Sequence, residues 1–345
     1  SGLDRLIDFH TDDTGGGATL RCESGCRFDH LMNFLIPNGF FLPVVPGTKY
    51  ISVGGAIAND IHGKNHHGAG NFGHHVQELE LLRSDGKFLC NEEDNPELFH
   101  ATIGGLGLTG LITWANIKLK KVPGPIMMEE SLKFDSLEEF FAINEESERN
   151  FEYTVAWIDC VNRKPHLGRG IYMRANHSQG ETNPKGTPIP TKQKLKAPMT
   201  APNFLLNSTT IGWFNKLYFA KQRQKFVRRE TPMEPFFWPL DGVGDWNKVY
   251  GKRGFYQYQF VIPKQERDAV KDILKIIGDS RMGSMLAVLK EFGPKKSKGM
   301  LSFPEPGWTL ALDFPNQGPK LLDLLDRLDQ IVLRHGGRVY PAKDG

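Results

Sequence analysis

Several features that would place the chain in a specialised class are scarce among its 345 residues. No apolar run approaches the roughly 18 residues of a membrane-spanning helix, and no signal peptide is recognisable. The four cysteines form no CxxC pair, which disfavours a zinc site or a disulfide framework. We interpret them as packing thiols: Cys22, Cys26, Cys90 and Cys160. The 43 basic and 40 acidic residues leave a net charge of only +3, which gives no support for a nucleic-acid partner.

Glycine and histidine, in contrast, are concentrated in residues 43–75, PVVPGTKYISVGGAIANDIHGKNHHGAGNFGHH. This segment holds seven of the 37 glycines and five of the 11 histidines. Glycine at this density removes side chains where the backbone must come close to something flat or charged. Imidazoles at the end of such a run suggest a bound ligand.

The five histidines of this segment, His62, His66, His67, His74 and His75, invite comparison with a metal site. Their spacing lacks a carboxylate pair or a helix that would align the imidazoles, so we expect no metal. A flavin or sugar site, in which histidines form hydrogen bonds, is favoured. For His67 and His74 the alternative is a partly solvated position in a loop.

Two further motifs have ordinary alternatives. Residues 105–110, GLGLTG, match the dinucleotide fingerprint GxGxxG, but they follow a helix signal and open a strand. That context is the reverse of the one the fingerprint requires, although close approach to a flat ligand stays possible. The basic run Lys295-Lys296-Ser297-Lys298 is typical of a solvated loop; contact with an anionic membrane surface or a phosphate is the alternative.

The pattern of apolar and turn residues predicts an α+β protein of two domains. In the first we expect a strand within 17–29, a helix capped by Asp29, a short strand at 40–45, a hairpin over 76–90, a short helix after Asp94 and a strand at 111–120. Pro123-Gly124-Pro125 is a linker. In the second we expect strands at 151–159 and 255–262, amphipathic helices at 265–278 and 320–335, and a mobile loop over 177–203.

From VGGAIANDIHGKNHH onward the chain resembles the vanillyl-alcohol-oxidase superfamily, whose members have a PCMH-type FAD-binding domain. Within it, the chain is most similar to the decaprenylphosphoryl-β-D-ribose 2′-oxidase family, the flavoprotein subunits of a 2′-epimerase. The similarity continues through ELELLRSDGKF, ELFHATIGGLGLTGLI, YQYQFVIP, LSFPEPGWTLALDFP and GGRVYPAKD. It therefore extends over nearly the whole chain.

The resemblance implies an FAD-binding domain at 1–123, an antiparallel-sheet substrate domain at 124–335, and a return to the first domain at 336–345. It implies a glycine-rich phosphate-binding loop before Ser1 and a helical tail after Gly345. FAD, held without a covalent bond, is the implied cofactor. The flavin-lining positions are Pro46, Gly47, Thr48, Ser52, Val53, Gly54, Gly55, Asn59, His62, Gly63, Gly107, Ile112, Tyr340, Ala342 and Lys343.

The resemblance also implies a substrate cavity between the flavin and the antiparallel sheet. Its lining positions are Lys64, Trp157, Phe237, Leu240, Lys248, Gln257, Gln259, Leu286, Val288, Lys290, Phe292 and Thr309. Gln257 and Gln259 alternate with aromatic residues, so both amides face one side of a strand. Lys343 and His62 are the expected catalytic residues.

The implied activity is oxidation of the 2′-hydroxyl of a polyprenyl-phospho-ribofuranose to a ketone, in bacterial cell-wall arabinan synthesis. The implied partners are the lipid-linked phosphosugar, an NADH-dependent keto-reductase and a peripheral membrane contact. The implied location is cytoplasmic or membrane-peripheral. Two alternatives stay open: a soluble alditol or aldonolactone oxidase of the same superfamily, and a binding protein without flavin.

Overall fold

The structure is a computed structural model that describes residues 2–12, 16–162, 166–179, 195–196, 200, 202 and 206–344. Most of the predicted loop at 177–203 lies outside the described residues. Within them, no helix is long and apolar enough to cross a membrane.

The first half of the chain forms a six-stranded antiparallel sheet with short helices. Its strands run in the order β1-β2-β6-β4-β5, and β3 pairs with β6. The strands are β1 (Leu6–Thr11), β2 (Ala18–Glu23), β3 (Phe40–Phe41), β4 (Val76–Arg83), β5 (Gly86–Asn91) and β6 (Leu111–Lys121). The helices are α1 (Phe28–Leu35), α2 (Val53–Ala58), α3 (His66–Ala69) and α4 (Pro96–Thr102), with 3-10 turns at Ile36–Asn38 and Phe72–His75.

The predicted hairpin at 76–90 and the strand at 111–120 are confirmed as β4–β5 and β6. Two predicted boundaries were wrong. Arg27, not Asp29, is the N-cap of α1, and Asp29 lies in its first turn, where a carboxylate favours the helix dipole. The strand at 40–45 ends at Phe41, and Pro43 follows two residues later.

The second half forms an eight-stranded antiparallel sheet in the order β11-β7-β9-β8-β14-β15-β13-β16. Its strands are β7 (Ile126–Phe134), β8 (Tyr153–Ile158), β9 (Gly170–His177), β11 (Phe226–Pro232), β13 (Phe255–Pro263), β14 (Ala287–Phe292), β15 (Gly307–Pro315) and β16 (Arg338–Val339). The helices are α5 (Leu137–Asn150), α6 (Ser208–Lys221), α7 (Met233–Phe237), α8 (Arg267–Ser280) and α9 (Pro319–Arg334), with 3-10 turns at Trp246–Tyr250 and Lys264–Glu266. A parallel pair joins β10 (Leu195–Lys196) to β12 (Val243–Gly244).

Two apolar cores hold this architecture together. One lies under α8 and α9 on one side of the eight-stranded sheet. The other fills the first half and also includes Tyr153 and the segment 236–238 of the second. The two sheets therefore share a core, and the space between them is fixed by packing rather than by the linker at 123–125.

The last residues of the chain touch both halves. β16 pairs with β13 at the edge of the eight-stranded sheet, while the Tyr340 hydroxyl donates to the Asn59 carbonyl of the first half, 3.2 Å away. The division at 123 and the return at 336–345 stay predictions.

Candidate active site

One face of the eight-stranded sheet collects polar side chains that lie far apart in the sequence. In the register of β13, β15 and β14, Gln257 lies opposite Asp313, Gln259 opposite Ala311, and Thr309 opposite Lys290. Paired residues of antiparallel strands project to the same face. Val288 continues this face to Trp157 on β8. The structure therefore brings together most of the predicted substrate positions on the sheet.

His62 reaches this face from the loop after α2. The ring nitrogen Nδ1 lies 2.9 Å from the Lys290 ammonium, and Nε2 lies 3.0 Å from the Gln259 amide. Burial and the Lys290 charge lower the pKa of His62 well below its usual value, so the ring is neutral. The Gln259 atom that faces His62 Nε2 is the amide nitrogen, which also donates to Thr309 Oγ1 at 3.0 Å. A donor therefore lies beside each ring nitrogen, and the neutral ring accepts from one of them.

Two lysines lie near one another at this site: Lys290 is buried and Lys64 is half-buried. The Lys290 ammonium donates to the Gly63 carbonyl at 2.6 Å, and Lys64 donates to the Phe237 carbonyl at 2.9 Å. Burial lowers the pKa of Lys290 well below its usual value and that of Lys64 to about 8. Among the described residues neither has a carboxylate oxygen within ion-pair distance. An anionic ligand would stabilise the protonated forms of both lysines, so the pair favours such a ligand.

Lys343 lies at the far end of the same face, where it begins a chain of hydrogen bonds between polar side chains. Its ammonium donates to Gln257 Oε1 at 3.1 Å, and Gln257 Nε2 donates to Asp313 Oδ1, also at 3.1 Å. Burial lowers the pKa of Lys343, and the negative charge of Asp313 partly opposes this decrease. Burial raises the pKa of Asp313 to about 6, and its second oxygen, Oδ2, has no hydrogen-bond partner in the described part of the chain.

Asp313 is a candidate that sequence reasoning missed. It is only 4% exposed and lies in the strand segment LALDFP. A carboxylate among apolar strand residues was the one feature of the sequence that could have indicated a functional residue here. The role of Asp313 depends on its contacts with Gln257 and Lys343. These residues are 56 and 30 positions away in the sequence, so local patterns do not reveal the contacts.

An aromatic wall closes the side of the site around His62. The His62 ring lies 4.7 Å from that of Phe292 and 5.7 Å from that of Tyr340, centroid to centroid. Tyr340 in turn stacks on Phe303 at 4.4 Å. The wall covers one side of the half-buried imidazole, and the predicted positions Phe292 and Tyr340 both belong to it.

The predicted flavin-lining glycines divide into two groups. A Cβ built on Gly47 or Gly107 would meet no atom within 4 Å, so both border open space, and Gly107 has a left-handed φ of +78°. At Gly54 and Gly63 a Cβ would lie 3.0 and 2.9 Å from neighbouring atoms, so these two glycines allow close packing of the chain itself. Open, side-chain-free backbone at Gly47 and Gly107 fits a flat or charged cofactor.

The other predicted flavin positions lie around α2. Ser52 caps this helix through its hydroxyl, which accepts from the Gly55 amide at 3.2 Å, and Asn59 ends it. The Pro46 carbonyl accepts from Trp238 Nε1 at 3.0 Å, and Thr48 accepts from the Tyr50 amide. Two positions are core side chains and one is exposed: Val53 and Ile112 are buried, and Ala342 is exposed.

Four predicted substrate positions lie apart from the polar face. The Phe237 ring is buried against Phe41 and Tyr153, so this residue contributes its carbonyl to Lys64 rather than a cavity wall. Lys248 donates to Asp245 at 2.8 Å on the 3-10 turn at Trp246–Tyr250. Leu240 is half-buried in the turn before it, and Leu286 is half-buried just before β14.

The other histidines of the glycine-rich segment 43–75 make hydrogen bonds within the fold. His66 donates through Nε2 to Asn71 Oδ1 at 2.5 Å and accepts at Nδ1 from the Gly293 amide at 3.1 Å. His67 contacts the Phe151 carbonyl and His75 the Ala69 carbonyl. His67 and His74 are both half-buried, as the alternative of a partly solvated position expects, and each side chain also has a hydrogen bond within the protein. In the described ranges, no group of three possible ligands is placed to hold a metal ion.

The basic run at 295–298 is held against the first half of the chain. His74 Nε2 lies 2.8 Å from the Lys296 carbonyl, Ser297 accepts from Asn71, and Lys298 pairs with Glu92. The lysine side chains 295 and 296 are exposed, as the solvated-loop interpretation expects. All four cysteines are free and buried, which confirms them as packing thiols.

Comparison with known proteins gives the following. The family described as "FAD binding domain" matches residues 2–90. The decaprenylphosphoryl-β-D-ribose oxidase of Mycolicibacterium smegmatis is 38% identical over 98% of this chain and 75% of its own length. An uncharacterised protein of Streptomyces coelicolor is 31% identical over 91% of this chain and 88% of its own. The D-arabinono-1,4-lactone oxidase of Candida glabrata is 25% identical over 49% and 32%.

Proposed function

The chain belongs to the family of decaprenylphosphoryl-β-D-ribose oxidase, a family of FAD-binding oxidoreductases, and from this premise we propose that it oxidises the 2′-hydroxyl of a polyprenyl-phospho-ribofuranose to the 2′-ketone. This would be the first half of a ribose-to-arabinose epimerisation.

One observation carries the choice of substrate. Lys290 is buried against His62 and Lys64 is half-buried near Lys290; both have pKa values lowered by burial, and neither has a carboxylate within ion-pair distance among the described residues. A phosphodiester would supply the missing negative charge. A neutral free sugar would leave both ammonium groups uncompensated.

The open backbone at Gly47 and Gly107 supports FAD in the first half of the chain. We assign its contacts to the glycine-lined segment 47–63, to Gly107 and to the residues 340–343. When bound, FAD supplies the two-electron chemistry by accepting a hydride from the sugar carbon. The protein must then hold the sugar, exclude water and manage the hydroxyl proton.

We assign the 2′-hydroxyl proton to Lys343. Burial lowers the pKa of its amine, which increases the neutral fraction able to accept a proton at a given pH. Gln257 orients the amine through Oε1, and Asp313 orients Gln257. His62, held neutral between Lys290 and Gln259, offers a fixed polar edge for a ring hydroxyl.

The chemistry of the proposed product indicates which class of enzyme must act on it next. A 2′-ketone needs hydride return from the opposite side to complete an inversion, so we propose that an NADH-dependent keto-reductase consumes it. We further propose a peripheral membrane location, because the polyprenyl chain of the substrate resides in the bilayer.

The test is anaerobic stopped-flow bleaching of the bound flavin with three compounds: farnesyl-phospho-ribose, free ribose and xylitol. We expect bleaching with the phosphosugar and none with the other two. Bleaching by xylitol or free ribose, with none by the phosphosugar, would overturn the proposal.

That second result would favour an alditol or aldonolactone oxidase. The similarity to the D-arabinono-1,4-lactone oxidase of Candida glabrata supports this alternative, but it extends over only 49% of the chain. It leaves the paired lysines without a role.

A further inference from the structure

Helix α6 (Ser208–Lys221) carries the most unusual surface among the described residues. The Trp213 side chain is 62% exposed and that of Leu217, one turn later, is 67% exposed; Phe214 beside them is 44% exposed. Residues four apart on a helix share a face. A tryptophan and a leucine presented together to solvent mark an interaction surface.

The opposite face of α6 is firmly anchored. Ile211 and Asn215 are buried, and Asn215 Nδ2 donates to Asp159 Oδ1 at 3.0 Å and to the Ser284 carbonyl at 3.3 Å. These contacts fix the rotation of the helix. Trp213 and Leu217 therefore point outward because the fold holds them there.

The charged residues of α6 and the segment after it have one sign. From Asn207 to Arg229 the sequence has six basic residues and no acidic one. The last three of the six have carboxylates within 4.0 Å: Lys225, Arg228 and Arg229. For the exposed Lys216, Lys221 and Arg223, no carboxylate partner is found in the part of the chain that the structure describes. The Lys216 ammonium lies 5.6 Å from the centroid of the Trp213 ring on this face. Apolar residues flanked by cations without carboxylate partners are typical of a helix that lies on an anionic membrane.

The same helix touches the candidate active site. The Tyr218 ring on its inner side lies 4.6 Å from the ring of Trp157, which borders the polar face of the sheet. A lipid-linked substrate bound there has a hydrocarbon chain that must leave the site. The helix that carries the exposed apolar face therefore also contacts the border of the site.

We propose that the exposed face of α6, formed by Trp213, Phe214 and Leu217 with Lys216, Lys221 and Arg223, docks the enzyme on an anionic lipid surface. The proposal rests on the proposed function only for its purpose, the delivery of a lipid-linked substrate. Tryptophan enters the interfacial region and the lysines reach the headgroups.

The first experiment is flotation of the FAD-loaded protein with vesicles of phosphatidylcholine containing phosphatidylglycerol, and with phosphatidylcholine alone. We expect binding to the anionic vesicles. In the double variant Trp213→Ser/Leu217→Ser, partition should fall roughly tenfold or more, because two large apolar side chains no longer insert. The double variant Lys216→Glu/Lys221→Glu should weaken binding to the vesicles that contain phosphatidylglycerol and should leave binding to pure phosphatidylcholine unchanged.

The matched control is Leu322→Ser/Leu333→Ser, which removes two leucines of α9 that are 45% and 62% exposed and should bind as the parent does. Equal vesicle binding by the parent and the Trp213/Leu217 variant would overturn the proposal, as would no binding by the parent. A parent dimer that becomes monomeric in this variant by light scattering would also overturn it, in favour of a second copy as the occupant.

A kinetic experiment separates this surface from the chemistry. The Trp213/Leu217 variant should keep its bleaching rate with farnesyl-phospho-ribose in solution and lose it with a long-chain polyprenyl substrate in vesicles. If neither substrate bleaches the parent but the variant still loses vesicle binding, the proposed reaction fails while the docking surface stands.

Discussion

The two faces of the eight-stranded sheet use the same strands for opposite purposes. On one face, Tyr258, Phe260, Leu310 and Leu312 are at most 1% exposed and pack beneath α8 and α9. On the other face, the same strands present Gln257, Gln259, Thr309 and Asp313, and β14 adds Lys290. One face is held mainly by apolar contacts, with a hydrogen bond from the Tyr258 hydroxyl to Asp329 at 2.6 Å. The other contains ionisable groups that have no ion-pair partner among the described residues.

This difference separates stability from function. Burial of the leucines and aromatics stabilises the fold, whereas an ammonium buried without a counter-charge opposes it. The pKa of Lys290 is lower in the folded chain than in the unfolded chain. At pH values between these two pKa values, the unfolded chain therefore binds more protons than the folded chain. The contribution of Lys290 to stability therefore rises with pH across that window and is unfavourable at neutral pH. Such a group belongs to ligand binding.

The largest expected effect is on the polar face. Lys343→Ala should slow flavin reduction by the phosphosugar about 10³-fold, since it removes the group assigned to the hydroxyl proton. FAD should stay bound, with an unchanged visible spectrum. Stopped-flow bleaching is the measurement, and Lys320→Ala at the exposed start of α9 is the control. Normal reduction rates in Lys343→Ala would remove Lys343 from the mechanism.

On the apolar face, Leu310→Ala should lower the free energy of unfolding by about 3 kcal/mol, because it leaves a cavity beneath the helices. The rate of flavin bleaching in the folded fraction should not change. Urea unfolding measures the first quantity, with the exposed Leu333→Ala as control. A large loss of activity without a loss of stability would contradict the separation of the two faces.

The substitution Lys290→Met should impair substrate binding without lowering stability, the opposite of the effect expected for Leu310→Ala. KM for the phosphosugar should rise roughly 10- to 100-fold, as expected for loss of a charge-assisted hydrogen bond. The free energy of unfolding should not fall, since an uncompensated buried charge is removed. Steady-state kinetics and urea unfolding of the same preparation test both. A destabilisation as large as that of Leu310→Ala would show that Lys290 serves the fold.

A smaller effect should appear in the pH dependence of substrate binding. Lys64 has its pKa lowered to about 8, so it is charged below that pH and neutral above it. KM for the phosphosugar should be flat up to about pH 8 and then rise by up to about tenfold per unit. Lys64→Arg, which keeps its charge, should remove the rise. The same rise in Lys64→Arg would assign it to another group.

Local patterns in the sequence predicted much of this sheet. The alternation along YQYQF placed Gln257 and Gln259 on one face and Tyr256, Tyr258 and Phe260 on the other, and the register of β13 with β15 confirms it. The helices α8 and α9 followed from their apolar stripes. Each of these features depends on neighbours within a few residues.

Contacts between distant segments were beyond such patterns. The hydrogen bond between His62 and Lys290 joins residues 228 positions apart, and that between His66 and Gly293 joins residues 227 apart. Both histidines belong to one glycine-rich run, yet one serves the site and the other the fold. Only the packing of the two halves distinguishes them, and the same packing shows that Phe237 supports Lys64 from the core.

The central claim is that the polar face presents the 2′-carbon of a phosphosugar for hydride removal by the flavin. The most direct test is single-turnover flavin bleaching with farnesyl-phospho-ribose carrying deuterium at C2′, compared with the same compound deuterated at C1′ or C3′. Deuterium at C2′ should slow bleaching severalfold, and deuterium at the other two positions should not. An isotope effect at C1′ or C3′ with none at C2′ would contradict the account.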